Sequence, residues 1–359
     1  MGSSSSSYTF LTSERKAPIG IVLGFCAFAV SCWYFLTAVS LVWPNHELDA
    51  GRGAASFSTV LDGIVNDISG KIGDGNSSLA AVGAAKEFGQ NDDLILYSYS
   101  ESEEALYAEI TLPVRETEAD IVRSKNLLFF RTHALHAKAD FIFILNGAHT
   151  LPVLPELSHL PNVRVIQRPN TCFDLGAYWE VLSAKENFLA RAYKRYLFIH
   201  ASLRGPFLPS SARKVCWSDA YLDMLDEQRK VGLVGMTWNC ARRTEENFPP
   251  HLQSMIWGID AKVLNEVVLP NLKCFETMAD TVTNGETVMT SKVLDAGYEV
   301  AAMEGRFASH SDSERKDGGS RKFLEWCNGD VNPEGTGRGS DVNYSGNYGG
   351  VTVSPWDTM

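Results

Sequence analysis

Three stretches of the chain carry polar side chains of types that bind sugars and phosphates. The first, residues 168–178, reads RPNTCFDLGAY and joins a predicted strand to a predicted helix. Asp174 either caps that helix or hydrogen-bonds a ribose or sugar hydroxyl. Gly176 permits close approach of the backbone, and the helix N-terminus offers free N–H groups. This stretch is therefore a candidate ligand site.

The second stretch, residues 196–209, reads YLFIHASLRGPFLP. It predicts a strand that ends at His200, followed by a turn through Ser202 and Arg204. The planar guanidinium of Arg204 suits a diphosphate, because its fork of N–H groups binds two oxygens at once. The alternative for Arg204 is a salt bridge to a surface carboxylate.

The third stretch, residues 250–260, reads PHLQSMIWGID, and Glu286 follows later at the start of a predicted helix. His251, Gln253, Asp260 and Glu286 are residue types that hold hydroxyl-rich ligands. Each also has a structural alternative, since an acid in a first helical turn favours the helix dipole. A histidine can likewise be fully satisfied by neighbouring protein groups.

Short apolar runs alternating with helical patterns must position these stretches. Strands are predicted over 94–99, 140–145, 163–166, 196–200, 231–236 and 298–303, and helices over 118–137, 175–192 and 284–296. Asp174 and Asn284 are the expected N-caps, and Gly297 is the expected left-handed stop of the last helix. The alternation indicates an α/β domain with a mostly parallel sheet. Ligands of such domains bind at the carboxyl edge of the sheet.

Composition excludes several classes of protein. The 359 residues contain 32 Lys and Arg against 43 Asp and Glu, a net charge of -11, which disfavours a nucleic-acid partner. A hydrophobic content of 45% supplies a sizeable core. The chain contains no Gly-x-Ser-x-Gly elbow, Walker loop, His-Glu-x-x-His or Cys-x-x-Cys motif.

The N-terminal region predicts a membrane anchor. Residues 17–43 contain no charged side chain and would form about 40 Å of helix, against a hydrocarbon core of about 30 Å. Arg15 and Lys16 precede this segment, and Glu47 and Asp49 follow it. The positive-inside rule then keeps residues 1–16 in the cytosol. A cleaved signal peptide is the rival interpretation, but its apolar region is only about 7–15 residues long.

Everything beyond the anchor is expected in a lumen. Residues 44–91 are predicted as a stem with an amphipathic stretch at 57–72, and residues 92–359 as the luminal domain. Asn76 and Asn343 begin glycosylation sequons. An oxidising lumen permits up to two disulfides, and spacing alone leaves their pairing open. The cysteines concerned are Cys172, Cys216, Cys240, Cys274 and Cys327.

Taken together, blocks over about residues 92–357 resemble a eukaryotic group of membrane-anchored proteins classed as glycosyltransferases. That group is distantly similar to bacterial rhamnan-synthesis F proteins and capsular polysaccharide glycosyltransferases. The blocks are NLLFF (126–130), DFIFILNG (140–147), NTCFDLGAY (170–178), HASLRGPFLP (200–209), LVGMTWNC (233–240), HLQSMIWGID (251–260), GETVMTSKVLDAGY (285–298) and YGGVTVSPWD (348–357).

The resemblance implies a GT-A-like fold: a Rossmann-type, mostly parallel sheet with helices on both faces, preceded by the transmembrane helix. It implies transfer of a sugar from a nucleotide-sugar donor to a hydroxyl of a glycan or glycoprotein, in a secretory-pathway membrane such as the Golgi. The Asp of the FDLGAY block, here Asp174, would contact the donor.

Roles for the remaining candidates follow from the chemistry of such a transfer. Charge builds on the leaving diphosphate and must meet positive groups, for which Arg204 is the first choice and Arg168 the second. Gly176 and Ser202 complete the predicted donor site. Glu286 and Asp260 are candidates for the base that activates the acceptor hydroxyl. The predicted acceptor site consists of His251 and Gln253.

Metal dependence is open. Bacterial relatives carry an Asn-Asp-Ser-like triplet before Arg-Gly-Pro, where this chain has His200-Ala201-Ser202. The acid that would hold Mn²⁺ or Mg²⁺ is therefore absent at Ala201, and hard cations need carboxylate oxygens. His310 and Asp312 are later candidate ligands. The missing acid also favours one alternative, a non-catalytic glycan-binding pseudoenzyme. A membrane scaffold that acts through its tail is a third alternative.

Overall fold

The computed structural model describes residues 57–72, 86–101, 118–147, 157–206, 216–239 and 249–303, together with 324, 347–348 and 351–352. The chain divides into units of residues 1–54 and 55–359, and every described residue lies in the second. Within these ranges, no helix is both long enough and apolar enough to cross a bilayer. The predicted anchor at 17–43 and the sequons at Asn76 and Asn343 lie outside the described residues and stay predictions.

The domain is built on a seven-stranded sheet in the order β3-β2-β1-β4-β8-β5-β9. The strands are β1 (Asp93–Ser100), β2 (Asp140–Asn146), β3 (Val163–Arg168), β4 (Arg195–His200), β5 (Val231–Gly235), β6 (Trp238–Asn239), β7 (His251–Leu252), β8 (Ile256–Asp260), β9 (Glu299–Ala302), β10 (Asn347–Tyr348) and β11 (Val351–Thr352). Only β8 runs antiparallel to its sheet neighbours, β4 and β5. The predicted mostly parallel sheet is thus confirmed. Two short antiparallel pairs, β6-β7 and β10-β11, lie outside it.

Strand β8 was missing from the predicted elements. It passes between β4 and β5 because Gly258 has no side chain there. A Cβ at Gly258 would lie 2.5 Å from a methyl carbon of Val234 on the adjacent strand. Trp257 on the same strand is fully buried. This short strand reverses the direction of the sheet locally and so moves its own C-terminus to the opposite edge.

Helices cover both faces of the sheet, as predicted. They are α1 (Phe57–Ile72), α2 (Glu118–His133), α3 (Phe173–Ala192), α4 (Trp217–Leu222), α5 (Ala261–Val263, the π-helical Leu264–Val268 and Leu269–Asn271) and α6 (Met278–Asp280, the π-helical Thr281–Glu286 and Thr287–Asp295). Alternate strand residues enter two cores: Leu94 and Leu96 pack with α1, α3, α5 and α6, whereas Ile95 and Tyr97 pack with α2 and α4. This alternation follows from the two-residue period of a strand.

Part of the predicted stem belongs to the core. Helix α1 buries Leu61, Ile64 and Ile68 against the sheet. On its exposed side, Asp67 pairs with Arg164 of β3 at 2.7 Å. The chain is therefore packed onto the domain from residue 57, upstream of the strand that was expected to open it.

The ends of two helices differ from the predictions. Helix α2 ends at His133, four residues before its predicted end. Helix α6 begins at Met278 and is capped by Thr277, whose hydroxyl accepts the N–H of Asp280. The predicted cap Asn284 lies inside the helix, so that prediction was wrong. Gly297, by contrast, stops α6 in the left-handed conformation as predicted, with φ at 83°. The amides of Gly297 and Tyr298 bond back to Leu294 and Val293, which is the Schellman arrangement.

Candidate active site

The site lies at the point of the sheet where the connections between successive strands diverge to opposite sides. Strand β1 is flanked by β2 on one side and by β4 on the other, so the crossovers diverge between β1 and β4. A crevice outside the carboxyl ends of two such strands is the usual ligand site of an open α/β sheet. The turn after β4 is held from two directions here. The amide of Ala201 donates to the Ser98 carbonyl at 3.0 Å, and Asn126 Nδ2 of α2 donates to the Ala201 carbonyl at 2.9 Å.

His200, at the end of β4, faces an acid across this crevice. Its Nε2 lies 3.7 Å from Oδ2 of Asp174 in the first turn of α3. Its Nδ1 lies 2.7 Å from the Ser202 hydroxyl and 3.4 Å from the Ser202 amide, which can only donate. When the ring is neutral, Nδ1 can accept these N–H and O–H groups, and the ring proton then lies on Nε2, towards Asp174. Sequence reasoning treated His200 only as a replacement for a relative's Asn. Its place at a strand end beside Ser202 was the available signal.

Glu286 reaches the same crevice from α6. Its Oε1 accepts the backbone N–H of Ser254 at 2.8 Å, on the connection between β7 and β8. Burial raises the pKa of Glu286, and the charge of Asp174 raises it further, whereas the bonds from Ser254 and the charge of His200 oppose that rise. A carboxylate with a raised pKa in a cleft is suited to accept a proton near neutral pH.

A disulfide joins the segments that precede α3 and α6, the helices of Asp174 and Glu286. Cys172, immediately before α3, is bonded to Cys274, before α6, with the Cα atoms 4.5 Å apart. The sequence left the pairing open, and this is one of the bridges it allowed. Cys216 is free within the described residues, and Cys240 and Cys327 lie outside them.

Gly176 permits close packing at this junction. A Cβ at Gly176 would lie 2.4 Å from the Cβ of Cys172 and 3.3 Å from the carbonyl oxygen of Lys273. The close backbone approach predicted at Gly176 is therefore to the disulfide and its neighbours. The predicted contact of Gly176 with the donor stays a prediction.

Asp174 does not cap α3, contrary to the prediction. The cap residue is Cys172, whose carbonyl accepts the Gly176 N–H at 3.1 Å, with no side-chain cap. Cys172 and Phe173 take left-handed φ values of 67° and 55°. Such backbone costs about 1–3 kcal/mol per non-glycine residue and persists only where the surroundings enforce it. The strained turn leaves the Asp174 carboxylate free to face His200.

The guanidinium of Arg168 is fully hydrogen-bonded to neighbouring residues of the domain. Its guanidinium donates to Glu180 Oε2 from Nε at 3.0 Å and again from Nη2, and to Asn146 Oδ1 from Nη1. It also donates to the carbonyl and the hydroxyl of Thr171, at 3.1 and 3.2 Å. All five N–H groups of an arginine are thereby occupied. The predicted contact of Arg168 with phosphate is corrected to a structural role, in which it holds the loop before Cys172.

Arg204 remains accessible. Its side chain is exposed, and the guanidinium carbon lies 5.1 Å from the ring centroid of Phe129 on α2. This cation–π contact orients the group without occupying the edges of its fork. Arg204 and Ser202 both lie on the turn that follows β4, so they stay in the candidate site.

Asp260 lies at the wrong edge of the sheet. It pairs with Arg195, the first residue of β4, whereas His200 is the last. Six residues of strand separate the two ends, or roughly 17 Å. The Asp260 carboxylate accepts the Lys262 N–H at 2.8 Å and caps α5. The prediction of Asp260 as a base was wrong because β8 runs antiparallel.

His251 and Gln253 have buried side chains. His251 is 3% exposed, and its Nδ1 bonds the Pro249 carbonyl at 2.9 Å. The Gln253 Oε1 accepts the Thr237 hydroxyl at 2.8 Å. Both residues precede Ser254, whose N–H bonds to Glu286. Their predicted contact with an acceptor stays a prediction.

The described part of the chain contains no cluster of three or more His, Cys, Asp or Glu side chains able to hold a metal ion. Ala201, the position at which the resemblance implied an acid in bacterial proteins, is 3% exposed and packs into the core shared with α2. The described residues at this slot therefore do not fit Mn²⁺ or Mg²⁺. His310 and Asp312 lie outside the described residues.

The stretch that forms this crevice can be compared with known families. Residues 141–312 match the family model of rhamnan synthesis protein F. The expected distant similarity to the bacterial proteins is thereby confirmed. The matched stretch is just under half of the chain, and it contains Asp174, His200 and Glu286. No curated protein is significantly similar to the chain in sequence.

Solved structures also align with the domain. A Desulfovibrio desulfuricans G20 protein classed as a nucleotide-diphospho-sugar transferase is 10% identical over 66% of this chain and 98% of its own, with a TM-score of 0.34. TarS 1-349 of S. aureus is 10% identical over 54% of each chain, with a TM-score of 0.30. The mannosyltransferase Ktr4p of S. cerevisiae is 9% identical over 63% of this chain and 70% of its own, with a TM-score of 0.27. These scores are too low to support a functional conclusion.

Proposed function

We propose that this protein is a nucleotide-sugar-dependent glycosyltransferase with a GT-A-like domain. One observation carries the proposal: Asp174, His200 and Glu286 meet at the carboxyl edge of the sheet, at its switch point, inside the stretch similar to rhamnan synthesis protein F. That edge is where an open α/β sheet binds its ligands. The polar side chains there come from three separate elements, as a site for a hydroxyl-rich ligand requires.

In the proposed reaction, a sugar passes from a nucleoside diphosphate to an acceptor hydroxyl. Glu286 takes the hydroxyl proton as the acceptor oxygen bonds to the anomeric carbon. The bond from that carbon to the diphosphate oxygen breaks, and the diphosphate leaves with the electron pair. Asp174 accepts hydrogen bonds from donor hydroxyls. Arg204 and Ser202, on the turn after β4, donate to the departing diphosphate.

Nucleotide binding tests this proposal directly. The full-length protein in detergent is heated with UDP, GDP or dTDP, and its unfolding is followed. A ligand that binds only the folded state stabilises it by about 2.7 kcal/mol at 100 times its dissociation constant. We expect stabilisation by at least one nucleotide, and a weaker effect in Asp174→Ala. Absence of any shift with all three would contradict donor binding.

A second function is favoured by Ala201. The slot that carries an acid in relatives is apolar and buried here, which suits a non-catalytic, glycan-binding relative of the enzymes. Slow hydrolysis of a nucleotide sugar separates the two functions, because an enzyme usually releases some free sugar and a lectin releases none. Glycan binding without any donor hydrolysis would establish the second function.

We further propose that the chain is a type II membrane protein of the secretory pathway, in keeping with a Golgi transferase, and acts on a glycan or glycoprotein. The uncharged run at 17–43 supports the anchor. The Cys172–Cys274 bridge supports an oxidising lumen. Asn76→Gln and Asn343→Gln in expressing cells test the topology. If residues 44–359 are luminal, the wild-type protein should lose mass on treatment with an endoglycosidase, and the double variant should not. A wild-type protein that carries no glycan and is not reached by enzymes in the lumen would contradict this topology.

A further inference from the structure

The disulfide binds together the two helices that carry the acids of the site. Cys172 precedes Asp174 on the turn into α3, and Cys274 precedes the helix of Glu286. The two cysteines are 102 residues apart in sequence. Asp174 therefore lies directly beside one end of the bridge, and Glu286 lies on the helix that follows the other end.

Two glycines extend this junction through the backbone. The start of α3 approaches residues 273–274 so closely at Gly176 that a Cβ would meet the Lys273 carbonyl oxygen at 3.3 Å. The end of the π-helical turn of α6 approaches α3 similarly. A Cβ at Gly285, beside Glu286, would lie 3.0 Å from both Leu175 and Phe275. The positions of the two acids are thus linked by the bridge and by direct packing.

The turn before Asp174 is held in a conformation it would not adopt alone. Cys172 and Phe173 both have left-handed φ values, which are uncommon for residues with a Cβ. Backbone of this kind persists where neighbouring structure enforces it. The bridge acts on the first of these residues, so cleaving it permits the turn to relax and Asp174 to move.

We propose that the Cys172–Cys274 disulfide is a positioning device for sugar transfer, which holds Asp174 beside His200 and Glu286 and whose cleavage lowers turnover while the domain stays folded. This inference rests on the proposed function. Cleavage by a dithiol breaks the S–S bond and leaves two thiols, and the dithiol is oxidised to its own disulfide. The activity is thereby tied to an oxidising compartment.

The test compares full-length wild type, Cys172→Ser/Cys274→Ser and the control Cys216→Ser, whose thiol is outside the bridge. For each, kcat, KM for the donor and the pH dependence of kcat are measured, with near-UV circular dichroism as the check on folding. We expect the double variant to keep the folded signal and lose at least tenfold in kcat. The acid limb of its pH profile should move to lower pH, because the Asp174 charge no longer raises the pKa of Glu286. Dithiothreitol followed by reoxidation should lower and restore wild-type activity.

Two results would overturn the inference. One is a folded double variant with the kcat and pH profile of wild type. The other is a loss of activity that only follows loss of the folded signal, because the bridge would then serve stability alone. Consumption of nucleotide sugar by the wild-type protein tests the proposed function separately. If it consumes no nucleotide sugar, that function fails and the inference fails with it, whereas an active wild type isolates the contribution of the bridge.

Discussion

The imidazole Nε2 of His200 lies 3.7 Å from the Asp174 carboxylate, across the gap between the end of β4 and the first turn of α3. The other ring nitrogen of His200, Nδ1, lies 2.7 Å from the hydroxyl oxygen of Ser202. Glu286 is close enough for both groups to act on its pKa in opposite directions. These charges form one coupled set, so a change to one of them should show in the protonation of another.

Replacing Glu286 by Gln should abolish most transfer. The amide keeps the shape of the side chain but cannot accept the hydroxyl proton, and loss of a general base costs about 10²–10⁴-fold in rate. Turnover of the nucleotide sugar measures this. Glu276→Gln, an exposed position before α6, is the matched control and should keep wild-type activity. Equal rates in wild type and Glu286→Gln would remove Glu286 from the mechanism.

The same substitution should stabilise the fold at neutral pH. Burial raises the folded-state pKa of Glu286 above its unfolded value. Its contribution to stability is therefore fully present below the unfolded pKa and is lost as pH rises through the folded pKa. Glu286→Gln should have the higher melting temperature at pH 7, and the difference should vanish at acidic pH, below the usual glutamate range. A variant less stable than wild type at pH 7 would contradict the assignment.

His200→Gln should shift the pH profile of transfer. The charge of His200 opposes the rise in the pKa of Glu286, so its removal raises that pKa further. Because the base must be deprotonated, the acid limb of the rate profile should move to higher pH. A lower rate with an unmoved limb would mean that His200 has only a structural role.

Asp174 and Asp260 form a matched pair of acids at opposite edges of the sheet. Asp174→Ala should weaken donor binding and transfer. Asp260→Ala should leave both unchanged and destabilise the fold by about 0.5–2 kcal/mol through loss of the α5 cap. Donor titration and thermal unfolding of the two variants separate these effects. Loss of transfer in Asp260→Ala at full stability would show that the site has been placed at the wrong edge.

Arg204→Ala should lower transfer by about 10²–10³-fold, the usual effect of removing one donor to developing charge. Arg204→Lys keeps the charge but loses the planar fork, so it should recover only part of that loss. Single-turnover rates with a saturating donor measure both. If Arg204→Ala transferred sugar at the wild-type rate, residues other than Arg204 would have to stabilise the leaving diphosphate.

Much of the fold was predictable because its strands are continuous apolar runs. DFIFIL at 140–145 is buried on both faces of the sheet, and the pattern of such a strand is visible in the sequence alone. Strand β8 was not predicted, and its direction is set by the neighbours on either side. That single reversal decides the place of Asp260.

The site was predictable only in part. Asp174 was expected at the carboxyl edge of the sheet and Glu286 near a sheet edge, and in the structure the charge of Asp174 raises the pKa of Glu286. The roles of Arg168 and Gly176 depend on partners that come into contact only in the fold, Glu180 for the arginine and the 273–274 backbone for the glycine. The left-handed turn at Cys172 likewise lies at a bridge whose ends are 102 residues apart in sequence. Local propensity contains no information on such contacts.

The most direct test is to incubate the full-length protein in detergent with a panel of UDP-, GDP- and dTDP-sugars and measure release of the nucleoside diphosphate. We expect at least one nucleotide sugar to be consumed by wild type and by Glu276→Gln, and its consumption to fall at least a hundredfold, within the range of a lost general base, in Glu286→Gln. Release of no nucleoside diphosphate by wild type from any donor, or equal release by Glu286→Gln, would contradict the proposed transfer at this site.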